Sequence, residues 1–388
     1  MLALPCLAHT AEQRRLMDPQ QQFCHNPACP TRGQVGRGNI GVHSQVEQRY
    51  VCQTCGRTFA ATKGTPFYRL RTAADQVTLV LTLLSHGCPP QAIVAAFGLD
   101  ERTVAAWLAR AGGHCRQVHE HLGQQGQVDL QHVQADELWV KLVGQRVWLA
   151  LALAVPSRLW LGGALSPHRD LPLITGLVRQ VRACARRLDI LVCVDGLSSY
   201  VTAFRRVFRD PVYTGRRGRP RLVLAAGFRL GQVVKQYVKR RVVRVQQRVM
   251  EGTAAGITAV LMATRTGHGI HTAYIERFNA TMRSTLVPLV RRGRALAHKV
   301  ETLTASMYLV GCAYNFCWPH GSLRVLAPAG SGRKWQVRTP AMAAGLTDHP
   351  WTMHELLHYQ VPLPAWGPPK RRGRPPKGAP LAVLAVAS

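Results

Sequence analysis

Two cysteine pairs constrain the N-terminal part of this chain more tightly than any other feature. Cys24-x4-Cys29 is followed, 22 residues later, by Cys52-x2-Cys55. A tetrahedral Zn²⁺ site takes four thiolates at about 2.3 Å, and two pairs on separate turns can deliver them. The stretch "RYVCQTCGRTF" has the form of a zinc knuckle: a strand enters, Gly56 permits a tight turn, and Phe59 packs beneath. Residues 21–68 hold too little apolar sequence to fold on a core alone, so the metal would supply much of their folding energy. One structural Zn²⁺ held by Cys24, Cys29, Cys52 and Cys55 is therefore expected, with the other cysteines as core or surface thiols.

Residues 69–120 carry helical periodicity. Val77, Val80, Leu81 and Leu84 form one stripe, and Ile93, Val94 and Phe97 a second. Asp100 is suited to cap a third helix with Val104, Trp107 and Leu108 on one face. A short Gly-containing turn between the second and third runs is the mark of a helix-turn-helix. Arg102, Thr103 and Arg110 would then face outward toward a DNA major groove.

From residue 126 to 320 strand and helix patterns alternate, as in an α/β domain. "VDLQHVQADELWV", "QRVWLALALAV" and "RLWLGGALS" read as an antiparallel meander. A helix over roughly 171–188 leads to the buried strand "DILVCVD" ending at Asp195. "HTAYIERFNATMRSTLV" reads as a helix with Thr272 at its N-cap and Glu276 in its first turns. Three strands, a helix, a fourth strand and later helices follow the order of an RNase H-like fold, a mixed sheet flanked by helices.

Acidic residues are scarce, so their positions are informative. The chain has 50 Lys and Arg against 19 Asp and Glu, a formal charge of +31 over 388 residues. Such an imbalance predicts salt-dependent attraction to a polyanion, above all nucleic acid. An anionic membrane is disfavoured, because the longest apolar run, Val147–Val155, is too short to span a bilayer. The opening "MLALPCLAHT" lacks the charged start of a secretory signal, so a cytoplasmic, nucleoid-associated protein is expected. Asp136, Asp195 and Glu276 lie on separate elements that such a fold brings together. Phosphodiester chemistry with two Mg²⁺ (or Mn²⁺) ions about 4 Å apart calls for hard carboxylate ligands of this kind. Glu137 competes with Asp136, although strand alternation directs it to the opposite face. Asp189 and Asp210 compete with Asp195, and Glu251 and Glu301 with Glu276.

The blocks "ADELWVKLVGQRVWLALALA", "VCVDGLSSY" and "YIERFNATMRSTLVPLVRRGRALAHKVE" resemble the three catalytic blocks of DDE transposases, especially those of the insertion-sequence-one type. Members of that group also pair an N-terminal zinc knuckle with a helix-turn-helix, and the likeness covers roughly residues 20–350. "YNFCWPHGSLR" is similar to the Tyr-Asn…Pro-His ending of many such domains. The first cysteine pair is wider than the usual Cys-x2-Cys, and the segment after Gly321 is longer than in the shortest members. The resemblance implies that Asp136, Asp195 and Glu276 are the catalytic, Mg²⁺-binding triad and that the protein works as a homo-oligomer on duplex DNA. Asn279 and Arg283, on the same helical face as Glu276, would touch DNA phosphates. A non-catalytic DNA-binding regulator and a structure-specific nuclease are the alternatives.

Arg-Arg-Gly-Arg-Pro occurs twice. The first copy opens a stretch, 215–248, with 11 Lys and Arg and no acid, within a basic insert at 211–265. Its Arg216, Arg217 and Arg219 are expected to contact DNA beside the acids. The second lies in a Pro-rich tail, 366–388, where Arg372 and Arg374 resemble an AT-hook that enters a narrow minor groove. An ill-ordered leader (1–20) and a helical extension (321–365) complete the expected plan.

Overall fold

The computed structural model describes residues 18–213, 215, 218–239, 241–289, 299–328 and 332–367. The expected leader up to residue 17, Arg216, Arg217, Arg372, Arg374 and the tail beyond 367 lie outside the described residues. The described residues form two compact units: 18–63 with 362–367, and, in the second, those within 64–361.

In the first unit, β1 (Ile40–Ser44), β2 (Arg49–Cys52) and β3 (Thr58–Ala60) make an antiparallel sheet in that order. Tyr50, Phe59 and Ile40 pack against Cys24, Cys29 and Cys52 in a small core of its own.

The second unit opens with helices α1 (Ala74–Ser85), α2 (Pro90–Phe97) and α3 (Glu101–Leu122). Gly98, in a left-handed conformation (φ 61°), ends α2, and the Asp100 side chain caps α3 by accepting from the Arg102 N–H at 2.8 Å. Val104, Trp107 and Leu108 are buried as the periodicity predicts, but α3 continues well beyond them. Its second half, including Cys115, Val118 and His119, enters the same core as the sheet. The residues read as a separate helical domain therefore share one interior with the α/β segment. At Gly112 a Cβ would lie 2.4 Å from Ala305 Cα, so only glycine permits this close helix crossing.

The sheet comprises β4 (His132–Leu142), β5 (Gln145–Ala154), β6 (Leu159–Ser166), β7 (Leu191–Asp195), β10 (Arg229–Val238) and β11 (Arg241–Glu251). The intervening β8 (Arg209–Val212) and β9 (Arg221–Leu224) form a separate hairpin. The strand order is β11-β10-β7-β4-β5-β6. As expected, β4, β5 and β6 form an antiparallel meander; β7 runs parallel to β4, and β10 parallel to β7. Two strands of the segment read as an insert thus belong to the central sheet. The pairing of β10 with β7 is non-local, and no short-range signal in the sequence marks it.

Helices α4 (Leu171–Cys184) and α5 (Ser198–Val207) pack together, with α4 over β5 and β6. Helix α6 (Ala254–Ala263) covers β10 through Ile257 and Leu261 against Val233. Helix α7 (Ala273–Thr285) lies on β4 and β5, and α8 (Val300–Cys312) on β6 and α3. A π-helical turn at Ala313–Cys317 follows, where the Asn315 amide exchanges two 2.9 Å hydrogen bonds with the Trp160 backbone and so pairs the edge strand β6. Short helices α9 (Pro340–Ala343) and α10 (Met353–His358) close the unit. The latter carries the expected capping box between Thr352 and Glu355. Among the described residues no helix is long and apolar enough to cross a membrane.

Candidate metal centres and acidic site

The first centre is the cysteine cluster. The Cys52–Cys55 turn closes through the Gly56 N–H, which donates to the Cys52 carbonyl at 2.8 Å with Gly56 at φ 67°. The wider Cys24–Cys29 loop folds over Asn26: its carbonyl accepts from the Cys29 N–H, and its side-chain oxygen from the Ala28 N–H. The four sulfurs lie within 4.8 Å of one another, with Cys24 to Cys55 at 3.6 Å and Cys29 to Cys52 at 4.0 Å. A tetrahedron with metal–sulfur arms of about 2.3 Å has edges of about 3.8 Å, so this buried cluster of four cysteines could hold zinc. Burial opposes charge on Cys52, but hydrogen bonds from the Cys55 and Thr54 N–H groups and the side chains beside it outweigh burial and pull the thiol down to about 6.

The second centre lies in the sheet. β4 and β7 pair in parallel as far as Ala135 and Val194, so Asp136 and Asp195 follow on the next rung, side by side. Both line a cavity of about 360 Å³ with Gly196, Lys235, Thr272 and Glu276. The sequence-predicted acids thus meet at one cavity.

Helix α7 delivers Glu276 there through contacts the sequence did not reveal. Thr272 precedes the helix but makes no capping bond; its hydroxyl donates to Glu276 Oε1 at 2.9 Å. The cap comes instead from the fully buried Gln134 of β4. Its Oε1 accepts from the Tyr274 and Ile275 N–H groups at 3.0 and 3.1 Å, and its Nε2 donates to the His271 carbonyl at 2.7 Å. Gln134 lies two residues before Asp136 and therefore on the same face of the strand. The signal available in the sequence was the one amide side chain of β4, two residues before Asp136.

Asn279 departs from expectation. Rather than facing DNA it is 1% exposed, and its Nδ2 donates to Asp136 Oδ2 at 2.8 Å. The spacing correctly puts it on the Glu276 face of α7, but that face turns toward the sheet. Arg283, one turn further, is half-buried.

Glu137 projects to the other face, as alternation requires, where the Tyr200 hydroxyl donates to its Oε2 at 2.8 Å and Arg169 pairs with its Oε1. Its carboxylate nevertheless comes within 4.8 Å of those of Asp136 and Asp195, making an acidic group that could bind a metal ion. Arg169 also donates to Asp195 Oδ2 at 3.0 Å, bridging the two acids.

The electrostatics follow from this crowding. Burial, then the charges of Glu137 and Asp195, push the Asp136 carboxyl up to about 7. Burial also raises Glu137, against the pull of Tyr200 and Arg169. At Glu276 burial is outweighed by the Lys235 ammonium, 2.6 Å from Oε1, and by Thr272, which together hold the carboxyl below its usual range. Lys235 is a second group the sequence did not single out.

The expected DNA-contacting residues are placed unequally. Arg102 and Arg219 are exposed and Thr103 is half-buried. The Arg110 guanidinium does not reach outward alone; it donates to the Pro66 and Tyr68 carbonyls at 3.4 and 2.8 Å. No protein-family model matches this sequence, and no curated protein matches it.

Proposed function

We propose that the chain is a DDE transposase that cuts and joins duplex DNA at the ends of a mobile element. The observation that carries this reading is the convergence of Asp136 and Asp195, on adjacent parallel strands, with Glu276 on one open cavity. The strand order, an antiparallel meander extended by two parallel strands with helices on both faces, supports an RNase H-like domain. Crowded carboxylates of this kind suit hard divalent cations, and Asp136, Asp195 and Glu276 would hold two Mg²⁺ ions. When bound, such ions polarise the scissile phosphate and activate the attacking water or 3′-hydroxyl. The chain's own residues do the positioning: Gln134 fixes the start of α7, Asn279 orients Asp136, and Arg169 orients Asp195.

The four-cysteine cluster, as a zinc knuckle, and helices α2 and α3, as a helix-turn-helix, would recognise the DNA end, and a homo-oligomer would hold two ends. Strand transfer of a duplex with a free 3′-hydroxyl end, in Mg²⁺, tests the reading. The wild type is expected to join strands and Asp195→Ala to be inactive. Equal activity in the two proteins overturns the mechanism, and cutting without joining points to a nuclease.

A further inference from the structure

β10 pairs with β7 only over Arg229–Val233, and the last of these rungs joins Val233 to Asp195. Its pairing with β11 continues from Val234–Gln246 to Val238–Arg241. The two strands therefore leave the sheet beside the acidic cavity as a two-stranded ribbon. Five further residues at about 3.3 Å each carry it roughly 17 Å outward.

The ribbon is bare. Val238, Val242, Val243 and Val245 are between 48% and 59% exposed. The register puts Val242 and Val245 on the face of Lys235, and Val238 with Arg241 and Arg244 on the other. Lys239, Arg241 and Arg244 are exposed and make no ion pair with a carboxylate among the described residues. No Asp or Glu occurs between Asp210 and Glu251. Basic residues do guard edge strands against unwanted pairing. A guard alone does not account for valines left uncovered on both faces of a hairpin, which is marginally stable in water without a covering partner.

We propose that this ribbon is a duplex-DNA docking element that enters a major groove next to the acidic cavity. It rests on the reading of that cavity as a phosphodiester site. The charge selects a polyanion, and a major groove about 12 Å wide admits a two-stranded ribbon. Arg241 and Arg244 reach phosphates, while the valines offer apolar contact to thymine methyl groups. A groove-bound ribbon would fix where along the duplex the bond facing Asp195 lies.

The test uses the full-length protein and a fluorescent duplex of about 30 base pairs, roughly three helical turns, titrated over a range of salt. For Arg241→Ala/Arg244→Ala the slope of log affinity against log salt is expected to fall by about two, one for each lost phosphate contact. Dimethyl sulfate footprinting with wild-type protein needs no variant and is expected to show protected guanine N7 atoms in the major groove. An unchanged slope, or N7 atoms that remain fully reactive, overturns the proposal. So does a double variant that becomes monomeric while its slope stays at the wild-type value, since the ribbon's partner is then a second copy of the chain. Asp195→Ala keeps the two readings apart. It is expected to bind with the wild-type slope and fail to cut, and if it cuts, the phosphodiester reading fails on its own.

Discussion

Asn279 donates to Asp136 Oδ2 at 2.8 Å, joining the helix of the third acid to the carboxylate of the first. The backbone N–H of Glu137 binds the other oxygen, Oδ1, at 2.9 Å, so Asp136 is held from two directions. Replacing Asn279 by Leu removes one of these restraints and leaves a buried carboxylate oxygen unpaired, at a cost of about 1–3 kcal/mol. Asn279→Leu is expected to lower the unfolding midpoint and reduce Mg²⁺-dependent strand transfer by tenfold or more. Urea denaturation and the strand-transfer assay check the two effects separately.

Gln134 predicts a different pattern. Gln134→Ala strips the cap from α7 and orphans three backbone groups, which should cost about 2 kcal/mol. Gln134→Glu retains an acceptor for Tyr274 and Ile275 but sets an acid against the His271 carbonyl. Amide hydrogen exchange over 272–276 should accelerate in Gln134→Ala, and unchanged protection would refute the capping role.

How far these contacts were legible in the sequence depends on their range. The apolar run before Asp195 and the periodicity around Glu276 are local, and both acids lie where those patterns put them. Helical spacing placed Asn279 on the Glu276 face but could not say whether that face meets DNA or the sheet. Gln134 and Lys235 act across 140 and 41 residues respectively, through docking that no window of sequence contains. Glu137 was read from its backbone direction alone, and a long side chain can curl back toward neighbours across the strand. The β10–β11 segment was legible as a basic insert, but its place in the central sheet, through the parallel pairing of β10 with β7, depends on tertiary packing.

The cysteine cluster makes a separable prediction. Purified protein should contain about one zinc per chain by elemental analysis, and Cys52→Ser should lose it. Because the cysteines and residues 64–361 belong to different compact units, the main melting transition is expected to persist in Cys52→Ser. Loss of that transition would show that the second unit depends on the first.

Buried imidazoles set the acid limit of stability. Burial first of all pushes His119 and His358 down to about 4 and His132 to about 3, and lowers His114 as well. Unfolded histidines titrate near 6.5, so below that pH the unfolded chain binds more protons than the folded one. Their stabilising contribution is complete above pH 6.5 and is lost as pH falls toward 4. Each group contributes at most about 1.4 kcal/mol per pH unit across that window. Asp136 and Glu137, both raised, act in the opposite sense, as two groups against four. Melting temperature should therefore drop steadily from about pH 7 to about pH 4.5, and a flat profile would contradict the neutral burial of these rings.

Gly112 has a mechanical consequence. Helix α3, at 22 residues and about 33 Å, is a single strut. Its first turns expose Arg102, and its middle is clamped against α8 where no larger residue fits. No linker interrupts it between the exposed end and the core that carries the acids. On the proposed reading, DNA held by the first turns of α3 would sit at a set offset from the acidic cavity, so that the helix would measure a length along the duplex.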